Sequence, residues 1–251
     1  MGPVERSLAW DGCFNVRDLG GLETASGHRT RHGAVVRADN VRRLTEAGWQ
    51  AALDHGIRRV IDLRFAGESP GEDDAHAGVE VISISLFGRH DPDAAQAFDD
   101  LLLTTDDIGA VFAAGYIRTL ERAPQRVAEA VAAVADADEK HGVLIHCFAG
   151  KDRTGIVTAL LLDAVGVLDE AIAADYAASH ANLGGVFDPW VARARDDDER
   201  ETRLRSALSP AATMEAVLAG LDTAGGSRAY LADAGLTSEQ LDRLERRLVA
   251  H

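Results

Sequence analysis

The sequence predicts an α/β fold with a largely parallel central sheet. Alanine-rich amphipathic stretches alternate with short runs of β-branched residues, which is typical of strands joined by helical crossovers. The predicted strand Gly142–His146 carries the run V-L-I without polar alternation, as expected of a strand that is covered on both faces. The chain has 251 residues, 46% of them hydrophobic and 27% charged, so it is long enough to bury such a core.

The elements before this strand follow from local patterns. Three further strands are predicted at 33–37, 58–63 and 79–84. Thr45 is placed to cap a helix that Gly56 ends. Pro124 suits the first position of another helix, because valines recur after it at i, i+4 and i+7. Residues 107–122 form a third helical candidate.

After the strand, the chain is predicted to be helical. The segment 156–165 is apolar nearly all round, which indicates a buried helix. Five more helices are predicted beyond it, at 169–179, 189–205, 210–221, 227–234 and 237–249. The last opens with a capping box, T-S-E-Q. We expect one domain over 1–251, with an α/β core at 1–180 and a helical extension at 181–251 that either packs on the core or covers a site as a lid.

The charge balance restricts the partners. Lys and Arg total 26 against 41 Asp and Glu, which gives a net charge of -15. Such a field repels polyanions at long range, so nucleic acid and anionic membrane surfaces are poor candidates as bulk partners, and no nucleic-acid partner is expected. An anionic substrate would need a local positive site.

Cysteine use and hydropathy predict a cytoplasmic protein. The two cysteines, Cys13 and Cys147, cannot form a disulfide framework, which fits a reducing compartment. The segment M-G-P-V-E-R-S lacks the apolar core of a secretory signal. The longest apolar stretch, 155–168, is interrupted by Asp163 and is shorter than the ~20 residues that cross a bilayer. No transmembrane association is expected.

The junction V-L-I-H-C-F-A-G-K-D-R-T-G, at 143–155, carries the predicted chemistry. Cys147 ends the buried strand, and the following loop opens a helix near Thr154. Backbone N–H groups of such a loop point inward, and the helix N-terminus adds partial positive charge. Anions bind at such places, and a thiol there has its pKa lowered from ~8.5 toward the reactive range.

Arg153 lies six positions after Cys147 and closes a C-x5-R loop. Its guanidinium can hold two phosphate oxygens at once and keeps its proton. Gly150 allows the backbone to turn close to a ligand, and Thr154 can donate its hydroxyl hydrogen to the sulfur. These parts fit displacement through a phosphocysteine followed by attack of water, with no metal or other cofactor.

A family resemblance supports this chemistry. The segment H-C-F-A-G-K-D-R-T-G, at 146–155, resembles the signature H-C-x5-R-[ST] of the cysteine-dependent protein tyrosine phosphatase superfamily. Its K-D-R-T-G ending is similar to that of the bacterial tyrosine and dual-specificity phosphatases related to mycobacterial tyrosine phosphatase B. Matching segments occur at 14–21, 31–38 and 56–64, and the resemblance weakens after Ser179. It implies a tyrosine-phosphatase-like, mostly parallel central sheet flanked by helices, with the phosphate-binding loop at 146–154.

The resemblance also implies roles for individual residues. Cys147 would be the nucleophile, Arg153 the phosphate clamp and His146 a support that orients the loop, while the backbone of 148–153 would form the cradle. The residues expected to bind the substrate phosphate are Phe148, Ala149, Gly150, Lys151 and Thr154.

The general acid is expected to be Asp152. The chain contains no W-P-D tripeptide, and in relatives with this loop an aspartate just before the arginine is proposed to protonate the leaving oxygen. Its rivals are Asp62, at a strand end, and the upstream pair at 106–107. Asp62 and Asp18 can equally pair with Arg17 or Arg64 and brace the loop.

Lys151 is one of only two lysines in an arginine-rich chain. At the loop rim it could contact a second phosphate on a polyanionic substrate such as a phosphoinositide, or it simply neutralises Asp152. The expected substrates are phosphotyrosine proteins or peptides, with breadth toward phosphoserine, phosphothreonine or phosphoinositides.

Other residues of the sequence have alternative interpretations. A nucleotide P-loop fails because Ile145 and Asp152 stand where that motif needs Gly and Ser or Thr. His28 and His32 lie among arginines with only Glu23 near them, so no metal site is expected there. Cys13 could protect an oxidised nucleophile by a disulfide, but a lone cysteine is usually a small apolar side chain. Tyr116 and Trp190 are expected to pack, and Trp190 could belong to a lid.

The sequence leaves two other functions open. One is a catalytically silent phosphate-binding regulatory module of the same fold, although dead relatives typically lose the nucleophile or the arginine, and both are retained here. The other is sulfur or arsenate chemistry at a similar thiolate loop, which the residues after Gly150 disfavour.

Overall fold

The structure is a computed structural model that describes residues 5–65, 68, 76–88 and 91–250. The strands in this part of the chain are β1 (Arg17–Asp18), β2 (Arg29–Thr30), β3 (Val35–Ala38), β4 (Ile57–Asp62), β5 (Glu80–Ser83), β6 (Gly142–His146) and β7 (Val249–Ala250). The helices are α1 (Glu46–Asp54), α2 (Pro92–Thr104), α3 (Ile108–Arg122), α4 (Pro124–Ala135), α5 (Asp152–Ala164), α6 (Asp169–Val191), α7 (Asp197–Ser206), α8 (Ala211–Asp222), α9 (Gly226–Asp233) and α10 (Ser238–Leu248).

The central sheet has five strands in the order β1-β3-β6-β4-β5. The pairs β3–β6, β6–β4 and β4–β5 are parallel, and only the edge strand β1 is antiparallel. The strand β6 therefore lies at the centre, as its uninterrupted apolar run predicts. The prediction of an α/β fold with a mostly parallel sheet flanked by helices is confirmed.

Alternate residues of β6 face two separate cores, which is why the run carries no polar alternation. Val143 and Ile145 belong to the larger core, which the helices from α3 onward cover. Leu144 belongs to the smaller core on the other face, beside Trp49 of α1. Because β6 is buried on both faces, it holds the start of the following loop rigidly.

The structure differs from the predicted elements in several places. Pro189 was expected to open a helix, but it lies in the last turn of α6, which continues unbroken from Asp169 and crosses the expected core boundary at residue 180. A proline near a helix end removes only one internal hydrogen bond.

Val249 was expected to end a helix, yet it pairs with Thr30 in a two-stranded ribbon of β2 and β7. The predicted absence of strands after 169 is therefore wrong. The helix α2 was missed, although Asp91 caps it and Pro92 opens it.

The helices of the C-terminal part pack on the rest of the fold. The helix α8 contacts α3 and α6, α9 contacts α5, and α10 contacts α4. The capping box predicted at Thr237 is present. No helix in the described part of the chain is long and apolar enough to span a bilayer.

Candidate active site

The loop that joins β6 to α5 makes the tight turn that the sequence predicts. Gly150 has a φ of 64°, in the region that favours glycine. A Cβ at this position would clash with the carbonyl of Ala38 on the neighbouring strand β3. The position thus requires glycine for both its dihedral angle and its space.

The carbonyl groups of the loop are held from outside. Asn15 Nδ2 donates to the carbonyls of Ala149 at 3.0 Å and Gly150 at 3.2 Å. The backbone N–H of Asn40 donates to the Phe148 carbonyl at 3.1 Å. Among the described residues, no hydrogen bond pairs the peptide N–H groups of 148–153, and no side chain caps the start of α5. The loop therefore presents a row of free backbone donors, which is the arrangement that binds an anion.

A buried charge cluster supports the loop from behind. Asp175 of α6 pairs with Arg37 at 2.6 Å, with Arg17 at 3.3 Å and with Arg6. Arg37 Nη2 also donates to the Gly150 carbonyl at 2.7 Å. Burial alone would raise the pKa of Asp175, but the three guanidinium groups lower it strongly. Three cations around one carboxylate leave net positive charge behind the anion cradle.

The predicted nucleophile lies at the bottom of a large cavity. Cys147 is 2% exposed, and it lines one cavity of about 2180 Å³ together with Asp152 and Arg153. The Thr154 hydroxyl is buried without a hydrogen-bond partner among the described residues. The structure therefore shows no hydrogen bond from this hydroxyl to the Cys147 sulfur, and the expected bond stays a prediction.

Some of the N–H donors of the Arg153 guanidinium are already hydrogen-bonded to Glu68. Its Nη1 donates to Glu68 Oε2 at 2.6 Å and its Nη2 to Oε1 at 3.0 Å. The rings of Phe65 and Phe87 lie 4.8 and 5.8 Å from it. Burial lowers the pKa of Arg153, but the Glu68 hydrogen bond and the charge of Cys147 outweigh burial and raise it, so the group stays cationic.

His146 sits behind the nucleophile as a neutral group. Its Nδ1 lies 3.1 Å from the Cys147 carbonyl and its Nε2 lies 3.7 Å from Asp62 Oδ1. Burial lowers the pKa of His146 to about 4, despite the nearby carboxylate. Asp62 is held by Arg64, with Nη2 to Oδ2 at 2.6 Å. This places Asp62 in the bracing pair that was one of its two expected roles.

Asp152 opens into the cavity at the first position of α5, with 34% of its side chain exposed. Its Oδ1 accepts a hydrogen bond from the Tyr116 hydroxyl, and that hydroxyl lies 2.8 Å from the hydroxyl of Tyr176. Burial, followed by the charge of Asp152, keeps the pKa of Tyr116 well above 10, so Tyr116 acts as a donor. Tyr116 was expected only to pack, and its contact with Asp152 was missed.

Lys151 is not at the rim of the loop, where the sequence analysis placed it. The side chain is 2% exposed, and Nζ donates to the carbonyls of Ser206 at 2.9 Å and Leu208 at 2.8 Å. It also lies 3.0 Å from Asp152 Oδ1 and 4.1 Å from the Phe112 ring. The lysine points into the C-terminal helices because carbonyl oxygens there satisfy its ammonium group.

The remaining candidates lie elsewhere. Asp107 caps α3 through the Ala110 N–H at 2.9 Å, and neither it nor Asp106 lines the cavity. Asp18 does not pair with Arg17 but holds His55 at 2.8 Å and two backbone N–H groups.

Two further residues had open roles. The Cys13 thiol lies 3.5 Å from the Asn40 carbonyl, and burial raises its pKa. Trp190 is 41% exposed and lines the cavity, with the Arg203 guanidinium 5.0 Å from its ring.

Sequence reasoning missed three residues that hold the site: Asn15, Glu68 and Arg37. Asn15 and Arg37 lie inside two of the segments that carry the resemblance, but nothing local shows that they reach the loop. Glu68 follows β4, whose carboxyl end lies beside that of β6. This parallel pairing was the one signal that could have pointed to Glu68.

Comparisons with known proteins find similarity to tyrosine phosphatases over most of the chain. A tyrosine-phosphatase-like protein from Nostoc commune, named tyrosine-protein phosphatase, is 31% identical over 232 residues, which cover 86% of this chain and 74% of that protein. The triple specificity protein phosphatase PtpB of Mycobacterium tuberculosis is 28% identical over 279 aligned positions, which cover 93% of this chain and 95% of that protein. The model of the tyrosine phosphatase family matches residues 8–250. The chain belongs to the tyrosine phosphatase family.

Proposed function

We propose that this phosphatase hydrolyses phosphotyrosine through a phosphocysteine formed on Cys147. The observation that carries the proposal is the row of unpaired peptide N–H groups at 148–153, closed by Arg153 and placed over a buried thiol. Phosphate has three equatorial oxygens to satisfy, and this loop offers donors that have no acceptor in the part of the chain that the structure describes.

The contacts of Arg153 support a division of its donors between Glu68 and a phosphate. Glu68 takes one hydrogen from each of Nη1 and Nη2, and the Leu63 carbonyl lies 3.5 Å from Nη1. A guanidinium has five N–H donors, so Nε–H and the second hydrogen of Nη2 remain on the adjacent edge. We propose that this edge holds two phosphate oxygens while Glu68 fixes the plane of the group.

The reaction follows in two steps. The Cys147 thiolate attacks phosphorus, the S–P bond forms, and the bond to the tyrosine oxygen breaks as Asp152 gives that oxygen a proton. Asp152 as carboxylate then takes a proton from water, whose oxygen attacks phosphorus, breaks the S–P bond and releases phosphate. Thr154 supplies a hydrogen bond to the sulfur in its anionic state, and His146 positions the loop.

The substrate range is proposed to extend beyond phosphotyrosine. The Mycobacterium tuberculosis relative is named a triple specificity phosphatase, and it matches nearly all of this chain. The cavity, at about 2180 Å³, has a much larger volume than a phosphotyrosine side chain. We therefore include phosphoserine, phosphothreonine and phosphoinositides as candidate substrates, and a catalytically silent role gains no support from any described residue.

The compartment is proposed to be the cytoplasm. Both cysteines are free and buried, and the mechanism needs Cys147 reduced.

The experiment replaces Cys147 by Ser. Turnover of p-nitrophenyl phosphate should fall by a factor of at least about 10³, because the thiolate nucleophile is lost. Binding of vanadate or phosphate should persist, since the backbone donors and Arg153 remain. A Cys13→Ser variant is the matched control and should keep its activity. Full turnover in the Cys147→Ser variant would show that another group attacks phosphorus.

A further inference from the structure

The cavity extends well beyond the catalytic loop, along the helices α2 and α3. Apolar and small side chains line this part: Ala94, Phe98 and Leu101 of α2, with Val111, Ala114 and Gly115 of α3. Arg118 and Arg122, further along α3, also line the cavity. We call this part of the cavity the side groove and these two residues the arginine pair.

The arginine pair lines the cavity without partners, whereas Arg200 of α7, which also has no side-chain partner among the described residues, lies outside it. Both side chains are exposed, and neither has a hydrogen bond or an ion pair with any described residue. Other arginines on surface helices do have carboxylate partners, for example Arg203 with Glu199 at 2.6 Å. Like charges at i and i+4 also repel each other along a helix. The helix dipole favours Arg122 in the last turn of α3, but Arg118 lies one turn earlier.

The spacing between the reacting centre and the arginine pair fits a short peptide segment. Phe112, against Lys151, and Tyr116, against Asp152, mark the catalytic end of α3. At a rise of about 1.5 Å per residue, Arg118 lies roughly 3 to 9 Å and Arg122 roughly 9 to 15 Å further along the helix. An extended peptide spans about 3.3 to 3.6 Å per residue, so about three to five residues cover the distance to Arg122.

We propose that the side groove binds the flank of a phosphotyrosine peptide, with apolar residues next to the phosphotyrosine and an Asp or Glu three to five residues away that pairs with Arg118 and Arg122. This inference rests on the proposed phosphatase function and names its peptide preference. It supplies the local attraction that an acidic substrate needs near a protein with a net charge of -15.

The order of polarity along the cavity favours a peptide over a lipid. Along α3, small and apolar lining residues at 111–115 lie level with the catalytic loop, and the cations Arg118 and Arg122 follow them in the helix. A phosphoinositide carries its charges together on the headgroup, and its acyl chains would place hydrocarbon against the arginine pair. A peptide with a phosphotyrosine, then apolar residues and then an Asp or Glu has complementary groups for the cradle, the apolar residues and the arginine pair.

The test compares phosphotyrosine peptides that differ only in one residue, Glu or Gln, placed three, four or five positions from the phosphotyrosine on either side. The Glu peptide with the best spacing should have a kcat/KM about three- to tenfold higher than its Gln partner, as expected for two exposed ion pairs. The double variant R118A/R122A should reduce that ratio to about one. The matched control Arg200→Ala removes an exposed arginine on α7 outside the cavity and should keep the preference.

The outcomes separate the two proposals. If the wild-type protein turns over p-nitrophenyl phosphate and the peptides but shows no Glu preference at any spacing, or keeps it in the double variant, the side-groove proposal is wrong and the phosphatase proposal stands. If nothing is turned over, the same Glu and Gln peptides are compared by binding to the Cys147→Ser variant, which tests the groove alone. If the R118A/R122A variant loses only its turnover of phosphoinositide in vesicles, the arginine pair binds lipid and the inference is overturned.

Discussion

The two oxygens of Asp152 have different surroundings. Oδ1 accepts from Tyr116 and lies 3.0 Å from Lys151 Nζ. Two donors on one oxygen leave Oδ2 as the atom that can carry the proton toward the cavity. Tyr116 is therefore expected to be a positioning residue, which fixes the orientation of the proposed acid without touching the substrate.

This assignment predicts a dependence on the leaving group. Asp152→Asn should slow hydrolysis of an unactivated aryl phosphate by about 10²- to 10⁴-fold and p-nitrophenyl phosphate much less, because only the poor leaving group needs the proton. Tyr116→Phe should show the same pattern at about three- to tenfold. The measurement is kcat across aryl phosphates with leaving groups of graded pKa.

The control for Tyr116→Phe is Tyr230→Phe. Its hydroxyl donates to the Leu120 carbonyl at 2.8 Å, away from the cavity. The control should leave the leaving-group dependence unchanged. Equal slowing of all substrates by Tyr116→Phe would mean that the hydroxyl only supports the fold.

Single residues of the site could be predicted where one motif carries them. Cys147, Asp152 and Arg153 lie together in the chain, and a strand-loop-helix context brings them to one cavity. Tyr116 could not be predicted, because its partner lies 36 positions away. Glu68 lies 85 positions from Arg153, and only the parallel pairing of β4 with β6 pointed to it. Only the packing of β4 and α3 around the loop makes those contacts.

At the scale of elements, the end of α7 and the connection to α8 are hydrogen-bonded to the catalytic loop. The Lys151 ammonium donates to the carbonyls of Ser206 and Leu208, so the side chain of one loop is held by the backbone of the other. The same ammonium group contacts Asp152. The position of the C-terminal helices and the surroundings of the proposed acid are thereby linked.

Lys151→Met tests this link. The variant leaves two carbonyls without their donor, so the free energy of unfolding should fall by roughly 1 to 3 kcal/mol. Amide hydrogen exchange in 200–210 should accelerate, and kcat should fall together with it. The only other lysine in the chain, Lys140, is exposed, and Lys140→Met is the matched control. Unchanged exchange in Lys151→Met would show that other contacts hold the connection.

Elements with strong periodic signals were predicted well, and short or atypical ones were not. The strand β6 and the helix α4 begin where their patterns place them. The strands β1 and β2 have two residues each, too few for any alternation to be visible. For α6, local chemistry at Pro189 suggested a helix start, but the packing of the long helix outweighs the single lost donor.

For the whole molecule, we infer that the chain is one domain. One continuous hydrophobic core contains Leu19, Ile145 and Leu248, and so joins the beginning of the described chain, the central strand and the last helix. A boundary near residue 180 would cut through α6. A cooperative, single unfolding transition is the behaviour expected of such a core.

The stability of the whole fold should decrease in mild acid because of His146. Its pKa is about 4 in the folded protein against 6.5 in the unfolded chain, so between these values the unfolded state binds more protons. Stability is therefore lost as the pH falls through this window, by about 2 kcal/mol between pH 7 and pH 5. Asp175, whose folded pKa is also lowered, adds a further loss at lower pH.

The measurement is urea unfolding at several pH values between 7 and 5, for the wild type and for His146→Asn. The variant should lose the part of the pH dependence that belongs to His146, whatever its stability at pH 7. An identical slope in both proteins would place the acid sensitivity in other groups.

The ribbon of β2 and β7 imposes an order on synthesis. Thr30 pairs with Val249, and the Arg31 side chain donates to the carbonyl of Val249, 218 positions later in the chain. At translation rates of about 5 to 20 residues per second, the early strand waits roughly 10 to 40 seconds for its partner. During synthesis β2 is therefore without its partner strand β7 for this time, and the ribbon closes only after residue 250 has left the ribosome.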